Sequence, residues 1–246
     1  MMQVNGIKTW RRMGAVGLAV CLALAAAVQA QASGPDVGLV TGLSGAATYR
    51  SSGDQTKANR VQVFMKVRRG DRIKLAAEAQ LQILYLTPGR QESWKGPVTL
   101  TAGEGESQVA PGSKAAPPEV KLLPTRVTRK IGGSEMPLPP SSLRHSGVIP
   151  TMAGQPDDAP KTPVPGGEAA REDVREAQQT YANLRRQTPT GDLTPELYYL
   201  SVLAENGKYP EMEKFMDTLE EKEPGNSALK ELRAWAQTQS LKKPQP

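Results

Sequence analysis

The chain has one cysteine, Cys21, and one histidine, His145. A zinc site needs several sulfur or imidazole ligands, so two lone candidates far apart cannot supply one. Cys21 sits inside an apolar run that is expected to be cleaved away, which removes any cysteine nucleophile. His145 sits among prolines, without the fixed shell that a working base requires. No metal, cofactor or catalytic residue is therefore expected. Aromatics are also scarce, with three Trp, six Tyr and two Phe in 246 residues. The net charge is +6, but no segment concentrates lysine and arginine into a stripe. Without that stripe or stacking platforms, nucleic acid is excluded as a partner. Composition leaves room for a carboxylate pair of the glycoside-cleaving kind, but scattered acids such as Asp36, Asp54 and Glu78 fall mostly in turns, where solvated carboxylates are the default.

Only one long apolar run occurs, from Met13 to Val28, and it carries no charge. Lys8, Arg11 and Arg12 precede it. Small residues with cleavage spacing follow, in Val28-Gln29-Ala30. This is the three-part pattern of a secretory signal peptide, with cleavage expected between Ala30 and Gln31. Sixteen residues are short for a membrane span, which needs about 20. No small residue stands before Cys21 to mark lipidation. The expected product is a periplasmic protein with no membrane span after cleavage, and the alternative is an uncleaved signal anchor in the inner membrane. Without its leader the protein has no cysteine and cannot use disulfides.

Proline divides the rest. Twelve of 21 prolines lie between Pro111 and Pro165. Proline removes a donor and fixes φ, so residues 111–167 are expected to form an extended linker. Within it, Val120-Lys121-Leu122-Leu123 and Arg126 to Ile131 are either a strand added to the preceding domain, a partner-binding segment, or a transient apolar patch. Residues 31–110 carry ten basic and seven acidic side chains, 111–167 seven and four, and 168–246 eleven and fourteen.

Residues 31–110 have a period of two. Val61 and Val63, then Leu81, Ile83 and Tyr85, then Val98 and Leu100, alternate with other residues. Turn chemistry separates the runs at Ser52-Gly53-Asp54, Arg69-Gly70-Asp71, Thr87-Pro88-Gly89 and Gly96-Pro97. Strands are predicted near 38–42, 45–50, 60–67, 72–75, 80–86, 90–94 and 97–101, in a small all-β sandwich or roll. Gly70 and Asp71 are the structural turn, with positive φ expected at Gly70. Arg90 and Trp94 frame the one charged strand, either an edge protected by charge or a partner-binding surface.

Three stretches carry a resemblance. Gly42-Leu43-Ser44-Gly45-Ala46-Ala47-Thr48-Tyr49-Arg50 resembles the opening hairpin of the FecR-type periplasmic domain. Val67 to Leu75, around Gly70-Asp71, is similar to that family's Gly-Asp turn. Ala79 to Leu86 with Pro88-Gly89-Arg90 is similar to its next hairpin. The resemblance covers about residues 37–110 and implies a β-only module for protein interaction. The family's best-known member passes a periplasmic signal to a sigma factor through a cytoplasmic portion. Only about a dozen residues precede the apolar run here, so that role is not expected to carry over.

Beyond Glu168 the period becomes helical. Val174, Ala177, Tyr181 and Leu184 share one face. Thr194-Pro195-Glu196 reads as a helix start with Thr194 as cap, and Asn206-Gly207 as a stop. Pro210 starts a helix bearing Met212, Phe215, Met216 and Leu219. Ser227 is expected to cap a last helix bearing Leu229, Leu232 and Trp235. Gly207-Lys208-Tyr209 followed by Pro224, with Pro189 lying 35 residues before it, resembles the register of the tetratricopeptide repeat. That resemblance implies antiparallel helices that bind proteins.

The expected class is α+β as separate domains: signal peptide 1–30, FecR-like β domain 31–110, linker 111–167 and tetratricopeptide-like helical domain 168–246, the two domains tumbling separately. The expected function is that of a non-catalytic bacterial envelope adaptor or sensor, with envelope proteins or a second copy as partners. The alternative is a peptidoglycan-binding or wall-modifying accessory protein. Candidate partner residues in the helices are Tyr198, Tyr199, Met212 and Met216. One of the adjacent tyrosines is expected at the surface, because neighbouring helical positions diverge by about 100°. The methionines could equally complete a bundle core.

Overall fold

Alternating apolar residues give strands buried on one face, and here they assemble into two sheets. The computed structural model describes residues 34–138 and 168–242. Ala30, Gln31 and residues 139–167 of the expected linker lie outside the described residues. Among the described residues ten strands occur: β1 (Asp36–Ser44), β2 (Ala47–Ser51), β3 (Asp54–Arg60), β4 (Lys66–Arg68), β5 (Arg72–Leu75), β6 (Gln80–Tyr85), β7 (Arg90–Lys95), β8 (Val98–Ala102), β9 (Ser107–Val109) and β10 (Glu119–Leu122). They form antiparallel sheets of order β10-β7-β6-β1-β4 and β3-β2-β5-β8-β9. Ile73, Leu81, Ile83, Tyr85, Trp94 and Leu100 meet between the sheets and are almost fully buried.

The predicted strand over 60–67 is broken. β3 ends at Arg60 and β4 begins at Lys66, so the chain crosses from one sheet to the other between them. Phe64 turns the crossing with φ +69°. All of Val61, Val63, Phe64 and Met65 are buried, but on two sides. Val61 and Met65 enter the sandwich, whereas Val63 and Phe64 enter a second core. Apolar residues that serve two cores imitate a strand's alternation. β3 itself is polar and almost wholly exposed at a sheet edge, so it left no apolar signal.

The second core joins sheet and helices. α1 (Thr125–Gly132), α2 (Glu168–Gln187), α3 (Thr194–Glu205), α4 (Tyr209–Lys222) and α5 (Ser227–Lys242) follow the strands. Leu39 of β1 and Leu84 of β6 pack in one cluster with Leu197, Leu200, Met212 and Leu229. β1 and β6 are thus buried on both faces. The class is α+β, but the expected separation into two tumbling domains is corrected: sheet and helices belong to one unit. The linker boundary moves as well. β10 pairs with β7, and Val127 and Ile131 of α1 are buried in the helical core. Among the described prolines, Pro117 and Pro118 precede β10 and Pro124 stands at the start of α1, where a missing donor costs nothing.

Two cap assignments also change. Thr194 lies inside α3, and Asp192 Oδ1 accepts from its N–H at 2.9 Å. Asn226 Oδ1 accepts from Ala228 N–H at 2.9 Å, so Asn226 takes the capping role expected of Ser227. The Ser227 hydroxyl instead meets Gln62 Oε1 at 2.7 Å.

At the Arg69-Gly70-Asp71 turn, Gly70 adopts φ +88°. Asp71 is buried, and its carboxylate accepts from Ser52 N–H at 2.9 Å and Arg68 N–H at 3.0 Å. The carboxylate ties this turn to the β2–β3 turn. A Cβ on Gly70 would lie 3.1 Å from Ser52 Cβ, in a backbone region that branched residues avoid. Gly70→Val is expected to cost about 1–3 kcal/mol. A denaturant midpoint of the full-length protein left unchanged by the substitution would refute this.

Candidate functional site

β7 presents two faces to two layers. Arg90, Glu92 and Trp94 alternate with Gln91 and Ser93. On the sandwich side the Glu92 carboxylate is fully buried. It accepts from Arg90 Nε at 2.8 Å, Trp94 Nε1 at 2.9 Å and Ser107 N–H at 3.1 Å. Arg90 also reaches Glu106, at 3.6 Å. The Tyr85 hydroxyl meets Ser107 Oγ at 2.9 Å, and burial pushes its phenol well above the usual tyrosine pKa. These bonds fasten β9 to β6 and β7 across the sandwich. The expectation that Arg90 and Trp94 form a partner surface is therefore corrected. The Trp94 ring is core, Arg90 is engaged by two carboxylates, and β10 removes β7 from the edge.

On the other face, buried Gln91 points its amide at the helices. Gln91 Nε2 lies 3.1 Å from Thr41 Oγ1, 3.0 Å from Asp192 Oδ2 and 2.9 Å from Thr194 Oγ1. Leu193 N–H donates to Thr41 O at 2.7 Å. Beside this joint the Arg185 guanidinium meets the fully buried Glu196 carboxylate at 3.0 Å and the carbonyls of Thr188, Pro189 and Asp192. Gly42 lies at the same seam, where a Cβ would come within 2.6 Å of Gly191 O. The start of α3 is thus bonded onto the sheet by polar groups that carry no apolar periodicity.

The helical candidates are internal. Tyr198 is 1% exposed and Tyr199 8%, and Met212 and Met216 are fully buried. The expectation that one tyrosine faces solvent fails because α3 is enclosed by α1, α2, α4 and the sheet, not by three helices alone. Tyr199 stacks on Tyr181 at 5.5 Å and meets Phe215 edge-on at 5.0 Å. Its hydroxyl accepts from Gln178 Nε2 at 3.1 Å. The methionines complete the core, one of the two roles open to them.

Besides Leu241 near the end of α5, the large apolar side chains that the described surface exposes lie at one end of the sandwich. Val109 of β9 is 39% exposed, and Val120 and Leu122 of β10 are 41% and 70% exposed. β9 and β10 are edge strands of the two sheets. Their proximity follows from the bonds joining Ser107 to Glu92 and Glu106 to Arg90. By register, Val120 stands opposite Glu92, Leu122 opposite Arg90, and Val109 opposite Leu100, so all three belong to the interior-facing rows. They lie where the sandwich opens. The segment around Val120 was one of the readings open from sequence, and β9, only three residues long, gave no signal.

Beside β10 on the helix side runs a groove of about 400 Å³, lined among others by Gln80, Gln82, Ser93, Lys95, Lys121 and Gln187. Among the described residues no cluster of His, Cys, Asp and Glu is arranged to hold a metal, and no helix is long and apolar enough to cross a membrane. In comparisons with known proteins, no family model, curated protein or solved structure matches this chain.

Proposed function

We propose that this protein is a non-catalytic adaptor of the bacterial envelope, exported to the periplasm by its signal peptide and cleaved after Ala30. In this reading the FecR-like β sandwich and the tetratricopeptide-like helices act as one body, and the contact surface is the sandwich edge. The observation that carries it is the row of exposed Val109, Val120 and Leu122 beside an edge strand. Apolar side chains next to unpaired backbone groups fit a partner that adds an extended segment.

A photo-crosslinking residue placed at Leu122 in the exporting cell tests it. Reproducible crosslinking to one defined envelope polypeptide, absent when the crosslinker is moved to β3, supports the adaptor. Sequencing the mature N-terminus checks export, and a start at Gln31 or Ser33 is expected. A second reading draws on the groove of amides and hydroxyls beside β10, where Lys95 and Lys121 are balanced by Glu119 and Asp192, a lining that suits a polar wall polymer. Retention of the protein on purified peptidoglycan at physiological salt, without a Leu122 crosslink, favours that reading over the adaptor.

A further inference from the structure

Leu123 N–H donates to Gly89 O at 2.9 Å, so the backbone of Leu123 faces β7. Backbone groups alternate along a strand. Glu119 and Lys121 therefore also turn theirs towards β7, opposite Ser93 and Gln91. Pro118, Val120 and Leu122 turn theirs outward, where no partner occurs among the described residues. The free edge thus offers two N–H donors, of Val120 and Leu122, and the carbonyls of Pro118, Val120 and Leu122.

That edge complements itself. We propose that β10 pairs antiparallel with β10 of a second copy of this chain, with Val120 opposite Val120. This rests on reading the edge as the contact surface and names its partner. In this register Val120 of each copy exchanges N–H···O bonds with the other, and each Leu122 N–H donates to the Pro118 carbonyl opposite. Pro118 is asked only to accept, which proline can do. Glu119 stands opposite Lys121 of the second copy, twice, on the helix side. Pro118, Val120 and Leu122 of both copies gather on the other face. A shift of two residues either way sets Glu119 against Glu119 or Lys121 against Lys121, and like charges directly opposite are unfavourable. A shift of one residue sets outward backbone groups against groups already bonded to β7. The pairing joins the two β10-containing sheets into one ten-stranded sheet and buries the most exposed apolar side chain of the edge, Leu122.

The full-length protein is expressed, and the exported product is weighed by sedimentation over a wide concentration range. A dimer is expected, and Leu122→Asp is expected to leave only monomer. Glu119→Lys should weaken association about tenfold, because two ion pairs become two repulsions. The double variant E119K/K121E restores opposite charges and should recover the wild-type affinity. Glu119 and Leu122 are exposed and Lys121 is half-buried, its Nζ 3.4 Å from Gln187 O, so circular dichroism and melting of each variant are compared with wild type to exclude misfolding. Monomer at every concentration overturns the pairing. So does a dimer indifferent to both Leu122→Asp and Glu119→Lys, or a double variant no better than Glu119→Lys. A monomer that still crosslinks through Leu122 to a different envelope polypeptide rejects self-pairing while leaving the adaptor reading in place.

Discussion

Tyr198→Ala is expected to cost about 3–5 kcal/mol, as for deletion of a large aromatic ring from a core. Tyr198 lies on α3, from which every residue between Thr194 and Ala204 is buried. A helix buried all round has no solvent face on which to lose a ring cheaply. The cavity would open in the cluster that contains Leu39 and Leu84 of the sheet as well as Leu200 and Met212 of the helices. The loss should therefore appear in both strand and helix signals, in one transition lowered by on the order of 10 °C. Tyr199→Ala should behave similarly, since it removes the ring that joins Tyr181 to Phe215 and the acceptor of Gln178. A folded Tyr198→Ala protein with an unchanged midpoint would show that α3 is not central. Two transitions, with only the helical one shifted, would show that sheet and helices do not share a core.

Replacing Arg90 with methionine is expected to be nearly as damaging, at about 3 kcal/mol. The stem's volume is kept, but Glu92 loses the cation at 2.8 Å and remains fully buried. Trp94 Nε1 and Ser107 N–H still donate to it, which limits the loss. Glu92→Gln added to Arg90→Met removes the uncompensated charge while keeping a carbonyl oxygen as an acceptor. The double variant should recover at least half of the single variant's loss in a urea titration. Arg90→Lys should fall between, because an ammonium cannot reproduce the guanidinium's directional Nε contact. A single variant as stable as wild type, or a double variant less stable than the single, would mean that Arg90 does not neutralise Glu92.

Much of the secondary structure was readable because its physical cause is local. Leu81, Ile83 and Tyr85 alternate because one side of β6 faces the sandwich, and Val174, Ala177 and Leu184 recur at helical spacing because one side of α2 faces a core. Gly70 was readable because a tight turn needs a residue that tolerates positive φ. β3 was not, because an exposed edge strand is set by backbone pairing to β2 and not by apolar residues of its own. The candidate surface was legible only in part. Tyr198, Tyr199, Met212, Met216 and Trp94 are chemically suited to interfaces and equally suited to cores, and the difference lies in what covers them.

From sequence alone follow the short apolar run near the start, the lack of cysteine after it, the scarcity of histidine, the β-then-α order and most turns and helix starts, since each depends on residue type or on neighbours a few positions away. Tertiary structure alone decided that sheet and helices form one unit. Gln91, Asp192 and Thr194 come together from positions about a hundred residues apart, and no periodicity encodes that meeting. It also decided which apolar residues remain outside. Val120 and Leu122 are no more hydrophobic than Leu123 or Val127, but β10 has a neighbour on one side only, and an edge leaves uncovered what the next strand would have buried.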